Sequence, residues 1–100
     1  MSALAALADP TRQRIVEMLA RQPLSSGEIA GRFAMTAPAV SQHLKTLRDA
    51  RLVLVTVDRQ RRIYRLNPEG VDELAAWVTR IRAFWNPRLD ALEAALKKDN

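Results

Sequence analysis

The chain has 100 residues, 48% of them apolar, with a formal charge of +5 and a pI near 10.7. That is one domain of ordinary folding composition, and the absence of cysteine excludes disulfides, thiolate metal sites and cysteine nucleophiles while suiting a reducing cytoplasm. The charge is uneven: residues 9–66 hold eleven Lys/Arg against five Asp/Glu, and residues 67–100 hold five against six, which favours a polyanion as partner of the first part.

Residues 1–8 place Leu4 and Leu7 among alanines. This predicts a helix of barely two turns, too short to stand alone and too short for a signal segment or a membrane span. Its expected role is to pack on the last helix of its own or a second chain, and no membrane partner is expected. Asp9-Pro10 is a cap followed by proline at the first helical position. The second helix carries Ile15, Met18 and Leu19 on one face and should end near Gln22-Pro23.

Residues 25–50 read as two helices joined by a tight turn. Ser25-Ser26-Gly27-Glu28 is a capping box. The helix it opens buries Ile29 and should close at Phe33, with Ala34-Met35-Thr36 as the turn. Thr36 caps the next helix, where Pro38 is tolerated because the first turn has unpaired N–H groups. Val40, Leu44 and Leu47 form its apolar stripe. Pro38, Gln42, Lys45 and Asp49 fall opposite, with Ser41 at one border and Ala39 and Thr46 at the other. His43 falls near the apolar side and reads as a buried or bordering residue more than as a base reader. A small, polar outer face can approach base edges closely; the plainer reading is a solvated face of an amphipathic helix.

Residues 51–66 read as a hairpin with β-branched strands and no glycine at its tip. Asp58-Arg59-Gln60-Arg61-Arg62 is therefore expected to form a loop of four or five residues. Three arginines in five residues suit phosphate or minor-groove contact; the plainer reading is an edge that uses charge against aggregation.

Residues 67–97 form the last predicted helix. Asn67-Pro68-Glu69 repeats the cap-plus-proline start, with Glu69, Asp72 and Glu73 near the N-terminus as the dipole prefers. Val71, Leu74, Val78, Ile81, Trp85, Leu89, Leu92 and Leu96 follow at heptad-like spacing, with one residue inserted around Asn86-Pro87. A kink or restart is expected there, capped by Asn86. Trp77 and Phe84 add a second stripe, so the helix can face its own core and a partner at once. Residues 97–100 are expected to fray.

The segments Ala5-Ala6-Leu7-Ala8-Asp9-Pro10-Thr11-Arg12, residues 25–33, Pro38-Ala39-Val40-Ser41-Gln42-His43-Leu44 and Arg62-Ile63-Tyr64-Arg65-Leu66, in this order and spacing, resemble the ArsR/SmtB family of bacterial winged-helix repressors. The resemblance covers residues 4–96. Phe84-Trp85 followed by Arg88-Leu89-Asp90-Ala91-Leu92-Glu93 resembles the SdpR-like branch.

The resemblance implies a mainly α (α+β) winged helix-turn-helix, in the order four helices, two strands and a final helix. It implies a homodimer joined through the first and last helices, for which Leu4, Leu7, Val78, Ile81, Trp85, Leu89 and Leu92 are the candidates. It implies a recognition helix in the major groove of double-stranded DNA, a wing along the backbone or minor groove, and repression of its own or a neighbouring operon. Two such helices would read half-sites roughly 34 Å apart on a pseudo-palindromic operator. Candidate DNA contacts are Thr36, Pro38, Ser41, Gln42 and Lys45 on the recognition helix, Arg59, Arg61 and Arg62 on the wing, and Arg12 and Arg14 as backbone clamps. Ser41 and Gln42 occupy positions where family members contact DNA.

The departure from the family pattern concerns sensing. Metal-sensing members carry Cys in the third helix or N-terminus, or His with Asp/Glu on the last helix. Here the one histidine is His43, and Asp90, Glu93 and Asp99 have no histidine beside them. No metal and no cofactor are therefore expected; a small-molecule or protein effector is left unnamed. Trp77, Phe84 and Trp85 read as packing, or alternatively as an apolar effector pocket. The other functional class open to these elements is a winged-helix protein-interaction module without specific DNA readout, against which the wing charge weighs. An enzyme is not expected: the chain shows no carboxylate pair, no Ser/His/Asp set and no phosphate-cradling glycine loop.

Overall fold

The helix starts are set by short polar side chains that accept from otherwise unpaired N–H groups of the first turn. In the computed structural model, which describes the backbone of residues 1–98 and the side chains of residues 1–85 and 91–97, a short α1 (Ser2–Ala6) comes first. Asp9 then caps α2 (Pro10–Arg21) through the Arg12 N–H at 3.0 Å. Ser25 and Glu28 form the reciprocal capping box of α3 (Ser26–Ala30). Thr36 caps α4 (Ala37–Asp49) through the Ala39 N–H at 3.3 Å, with proline in its first turn. Asn67 Oδ1 accepts from the Glu69 N–H at 3.2 Å at the start of α5 (Pro68–Lys98).

The strands form one antiparallel sheet in the order β1-β3-β2, from β1 (Leu24–Ser25), β2 (Val53–Asp58) and β3 (Arg61–Leu66). The expected element order lacked β1. Two residues between Pro23 and a capping box carry no strand periodicity of their own; pairing of Leu24 with Tyr64 and Ser25 with Ile63 makes them a strand.

Two further expectations are corrected. The helix expected to close at Phe33 stops at Ala30, because Gly31 is a poor helix former. The chain then tightens through i→i+3 bonds from the Arg32 and Phe33 N–H groups to the Ile29 and Ala30 carbonyls. The wing tip is not a four- or five-residue loop. Asp58 pairs with Arg61, leaving Arg59-Gln60 as the turn, and Arg59 supplies the positive φ (59°) that glycine usually provides. A fully paired six-residue ladder holds the tip in that conformation.

Ile15, Leu19, Leu24, Ile29, Val40, Leu44, Leu47, Leu52, Val53 and Tyr64 make the core, with Ala3 and Ala6 of α1 at its edge. Burying each large aliphatic side chain stabilises the fold by about 1.5–3 kcal/mol. Leu7 and Leu74 pack against this core in part.

The joint between α5 and the rest is built on Arg51. Its backbone is left-handed (φ 63°), its guanidinium meets Glu73 at 3.2 Å and Glu69 at 3.3 Å, and its carbonyl accepts from Asn67 Nδ2 at 3.0 Å. Gly70 lies against that carbonyl so closely that a Cβ would come within 1.8 Å of the oxygen.

Beyond the joint α5 leaves the core. The radius of gyration is 18.5 Å, against about 13 Å for a compact chain of this length. Val78, Ile81, Phe84, Trp85, Leu92 and Leu96 are exposed. α5 is one helix through Pro87, so the restart expected at Asn86-Pro87 is not found; proline withdraws one N–H, and the turns on either side continue. The expected Asn86 cap and the Leu89 side chain lie outside the described residues, as do residues 99–100 of the expected frayed tail. No helix among the described residues is long and apolar enough to cross a membrane.

Candidate nucleic-acid interface

The α4 helix presents a buried face, an outward face and two flanks. Val40, Leu44 and Leu47 are buried, which turns Pro38, Gln42, Lys45 and Asp49 outward; all four are exposed. Lys45 Nζ lies 3.2 Å from Asp49 Oδ2, one turn along the same face. On one flank, Ser41 and Arg48 face the wing across a cleft of about 420 Å³. Ser26, Lys45, Asp49, Arg62 and Tyr64 complete its lining. On the other flank His43 is half-buried and turned toward α2.

The wing arginines differ in their ties. Arg61 Nη2 is 3.0 Å from Glu28 Oε1, so it bridges the wing to α3. Both groups are exposed, and such a pair contributes little stability. Ser25 holds the Glu28 carboxyl below its ordinary range, through its N–H and its hydroxyl, and the charges of Arg61 and Arg32 add to this. Arg59 and Arg62 are exposed, and among the described residues they form no ion pair. Thr36 is exposed at the α4 start and occupied as its cap.

A winged helix-turn-helix with a cationic wing beside an exposed α4 face is thus in place, and comparison with known proteins is decisive. The family model described as bacterial regulatory protein, arsR family, matches residues 9–54. The HTH-type transcriptional regulator Rv2034 of Mycobacterium tuberculosis is 50% identical over 84 residues, which cover 84% of this chain and 76% of that one. The chain belongs to the arsR family. The transcriptional repressor SdpR of Bacillus subtilis is 30% identical over 73 residues, covering 73% of this chain and 81% of its own. Among solved structures, the homodimeric winged helix-turn-helix DNA-binding domain Mb0332 of Mycobacterium bovis superposes with a TM-score of 0.67. It is 28% identical, with 82% of this chain and 76% of that one covered. This arsR-family chain is accordingly a transcriptional regulator with a winged-helix DNA-binding domain.

Within this regulator the two candidate clamps on α2 each have a partner in the chain. Arg12 Nε donates to the Ala6 carbonyl at the end of α1, and its Nη1 lies 3.2 Å from His43 Nδ1. A guanidinium only donates, so the contact is a hydrogen bond when Nδ1 is the accepting nitrogen of the ring. Asp9 Oδ2 stands 3.9 Å from the same nitrogen. The hydrogen bond from the Arg12 N–H is the chief cause that lowers the Asp9 carboxyl pKa, and the Arg12 charge adds to it. Arg12 thus ties α1 to α4. Arg14 is exposed and stacks over Phe33, 4.9 Å from the ring centroid.

The sequence reading missed Arg48 and the Arg51 joint. The helical spacing of Ser41, Lys45 and Arg48 was available as a signal for Arg48. None existed for Arg51, because its role depends on Gly70 nineteen positions away.

Proposed function

We propose that this arsR-family regulator is a homodimeric, sequence-specific repressor of its own or a neighbouring operon. In this reading α4 enters the major groove, the wing follows the backbone or minor groove, and α1 with α5 joins two copies so that they read a pseudo-palindromic operator. The observation that carries it is the adjacency of α4 and the wing: Ser41, Lys45 and Arg48 share one cleft with Arg62, so a reading helix and a cationic strand can engage one duplex together. Pro38 and Gln42 are the base-facing candidates, Gln42 by pairing bidentately with adenine, and Ser41 is a further DNA contact. Arg59 and Arg61 serve the backbone with Arg62, and Arg61 can exchange Glu28 for a phosphate.

The exposed stripe of Val78, Ile81, Trp85 and Leu92, together with Leu4 of α1, supports the dimer; Leu89 stays among the proposed interface residues on its sequence spacing. A long exposed helix with such a surface gains most of its stability from tertiary or subunit packing. Leu7 packs against its own core, so its share in the dimer is small. Trp77 is half-buried and Phe84 exposed beside the stripe, which supports packing between copies over an effector pocket. The SdpR-like placement rests on the residues from Phe84 to Glu93. The regulator is proposed to respond to something other than a transition metal: the one histidine is tied to Arg12 and Asp9, and no thiolate exists to complete a ligand set.

Footprinting on the upstream region, with an electrophoretic shift at moderate salt, tests the reading. One protected pseudo-palindrome is expected. Gln42→Ala should lower operator affinity by about 1–3 kcal/mol while leaving random-sequence affinity unchanged. Absence of any protected region would sink the proposal.

A further inference from the structure

We propose that the cleft between α4 and the wing is the seat of a DNA backbone phosphate, with Arg48 as a contact and Ser41 and Lys45 gripping backbone instead of reading bases. The inference rests on the DNA-binding reading above. Three separate elements converge on the cleft: Ser26 from α3, Ser41, Lys45 and Arg48 from α4, and Arg62 from β3. Three cations and three hydroxyl-bearing residues, Tyr64 being the third, therefore line one space of about 420 Å³. The single carboxylate present, Asp49, is already held by Lys45 at 3.2 Å. Arg48 and Arg62 form no ion pair among the described residues, whereas Arg51 and Arg61 both do. Two guanidiniums that line one cleft without an ion pair repel, and an anion between them relieves that repulsion with charge-assisted hydrogen bonds.

The choice of a DNA phosphate follows from position. Ser41 and Arg48 flank the outward strip of Pro38 and Gln42, so a duplex that receives this strip in its major groove must lay a bordering strand over that flank. The wing stands on the far side of the cleft and would hold the strand from the other side. Phosphate contacts of this kind fix register without carrying sequence information. The division leaves Pro38 and Gln42 as the base-facing residues on the helix.

The test is fluorescence anisotropy with a random-sequence duplex of about 30 base pairs over a range of salt concentrations. It compares the full-length wild type with Arg48→Ala, Arg62→Ala, Arg48→Lys and the remote control Arg80→Ala. Arg48→Ala and Arg62→Ala should each reduce the slope of log affinity against log salt by about 0.9 per head, about 1.8 for the proposed dimer with both heads on the duplex, and weaken binding on the order of 60-fold near 100 mM salt. Arg48→Lys should restore most of the slope, and Arg80→Ala should behave as wild type. Because both arginines grip one phosphate, the double variant should lose less than the product of the single losses. A wild-type slope and affinity for Arg48→Ala, or strictly multiplicative losses, would overturn the seat while leaving the DNA-binding reading intact. If wild type bound no duplex even at low salt, the DNA-binding reading itself would fail, and the seat with it. Displacement of the duplex by submillimolar pyrophosphate at matched ionic strength, from wild type but not Arg48→Ala, would assign the cleft to a free phosphate ligand and overturn the proposal.

Discussion

The reading head, residues 9–66, and the distal half of α5 solve opposite surface problems within one chain. The head buries most of its large aliphatics fully or in part, Met35 and Val57 excepted, and shows arginine outside. Distal α5 buries little and shows Val78, Ile81, Phe84, Trp85, Leu92 and Leu96. A cationic surface is comfortable in water and waits for a polyanion. An apolar stripe is not, and it implies a partner that is present whenever the chain is folded. In the proposed reading, the contrast separates an intermittent partner, DNA, from a constant one, a second copy.

The largest effect should come from mixing the two surfaces. Ile81→Glu puts a charge into the stripe. It should convert the dimer to monomer by light scattering and weaken operator binding on the order of 100-fold or more, since two linked heads bind far better than one. The circular dichroism of residues 9–66 should change little. An unchanged mass would show that the stripe does not join the copies.

Next comes the joint between the regions. Gly70→Ala forces its methyl group into the Arg51 carbonyl, and overpacking of this kind costs about 1–3 kcal/mol. The denaturation midpoint should fall accordingly. An unaltered midpoint would mean that α5 can slide away from the head without loss.

The smallest effect concerns acid. The Glu28 pKa is lowered in the fold, chiefly by the Ser25 N–H and hydroxyl. Its stabilising contribution is therefore complete above the ordinary carboxylate pKa, about 4.3, and is lost as pH falls through the lowered value. Glu28→Gln keeps the capping-box acceptor and removes the titration. Stability of the variant should fall less steeply than wild type below about pH 4. Equal acid profiles would place the acid sensitivity elsewhere, with Asp9 the next candidate because its pKa is also lowered.

The two regions also differ in how far they could be read from sequence. Helix starts were legible because Asp9, Ser25, Thr36 and Asn67 act on N–H groups within three residues of themselves. The buried stripe of α4 was legible from period alone. The strand β1, the two-residue wing tip and the Arg51 joint were not, since each is stabilised by a distant segment: β3 for the first, the facing ladder for the second, Gly70 for the third. Arg12 shows the same limit for the site. Its charge and location suited a phosphate clamp, but it reaches the Ala6 carbonyl and His43, partners that only the fold brings near.

The tip of the wing sets charge against backbone ease. Arg59 holds a left-handed conformation that disfavours any side chain with a Cβ by about 1 kcal/mol. Glycine would sit there without strain, yet it would blunt the outermost cation of the hairpin. The turn is thus a place where the most stable chain and the chain that grips a polyanion best are different chains. A search for thermostable variants would be drawn to Arg59→Gly and would trade away reach along the duplex to obtain it.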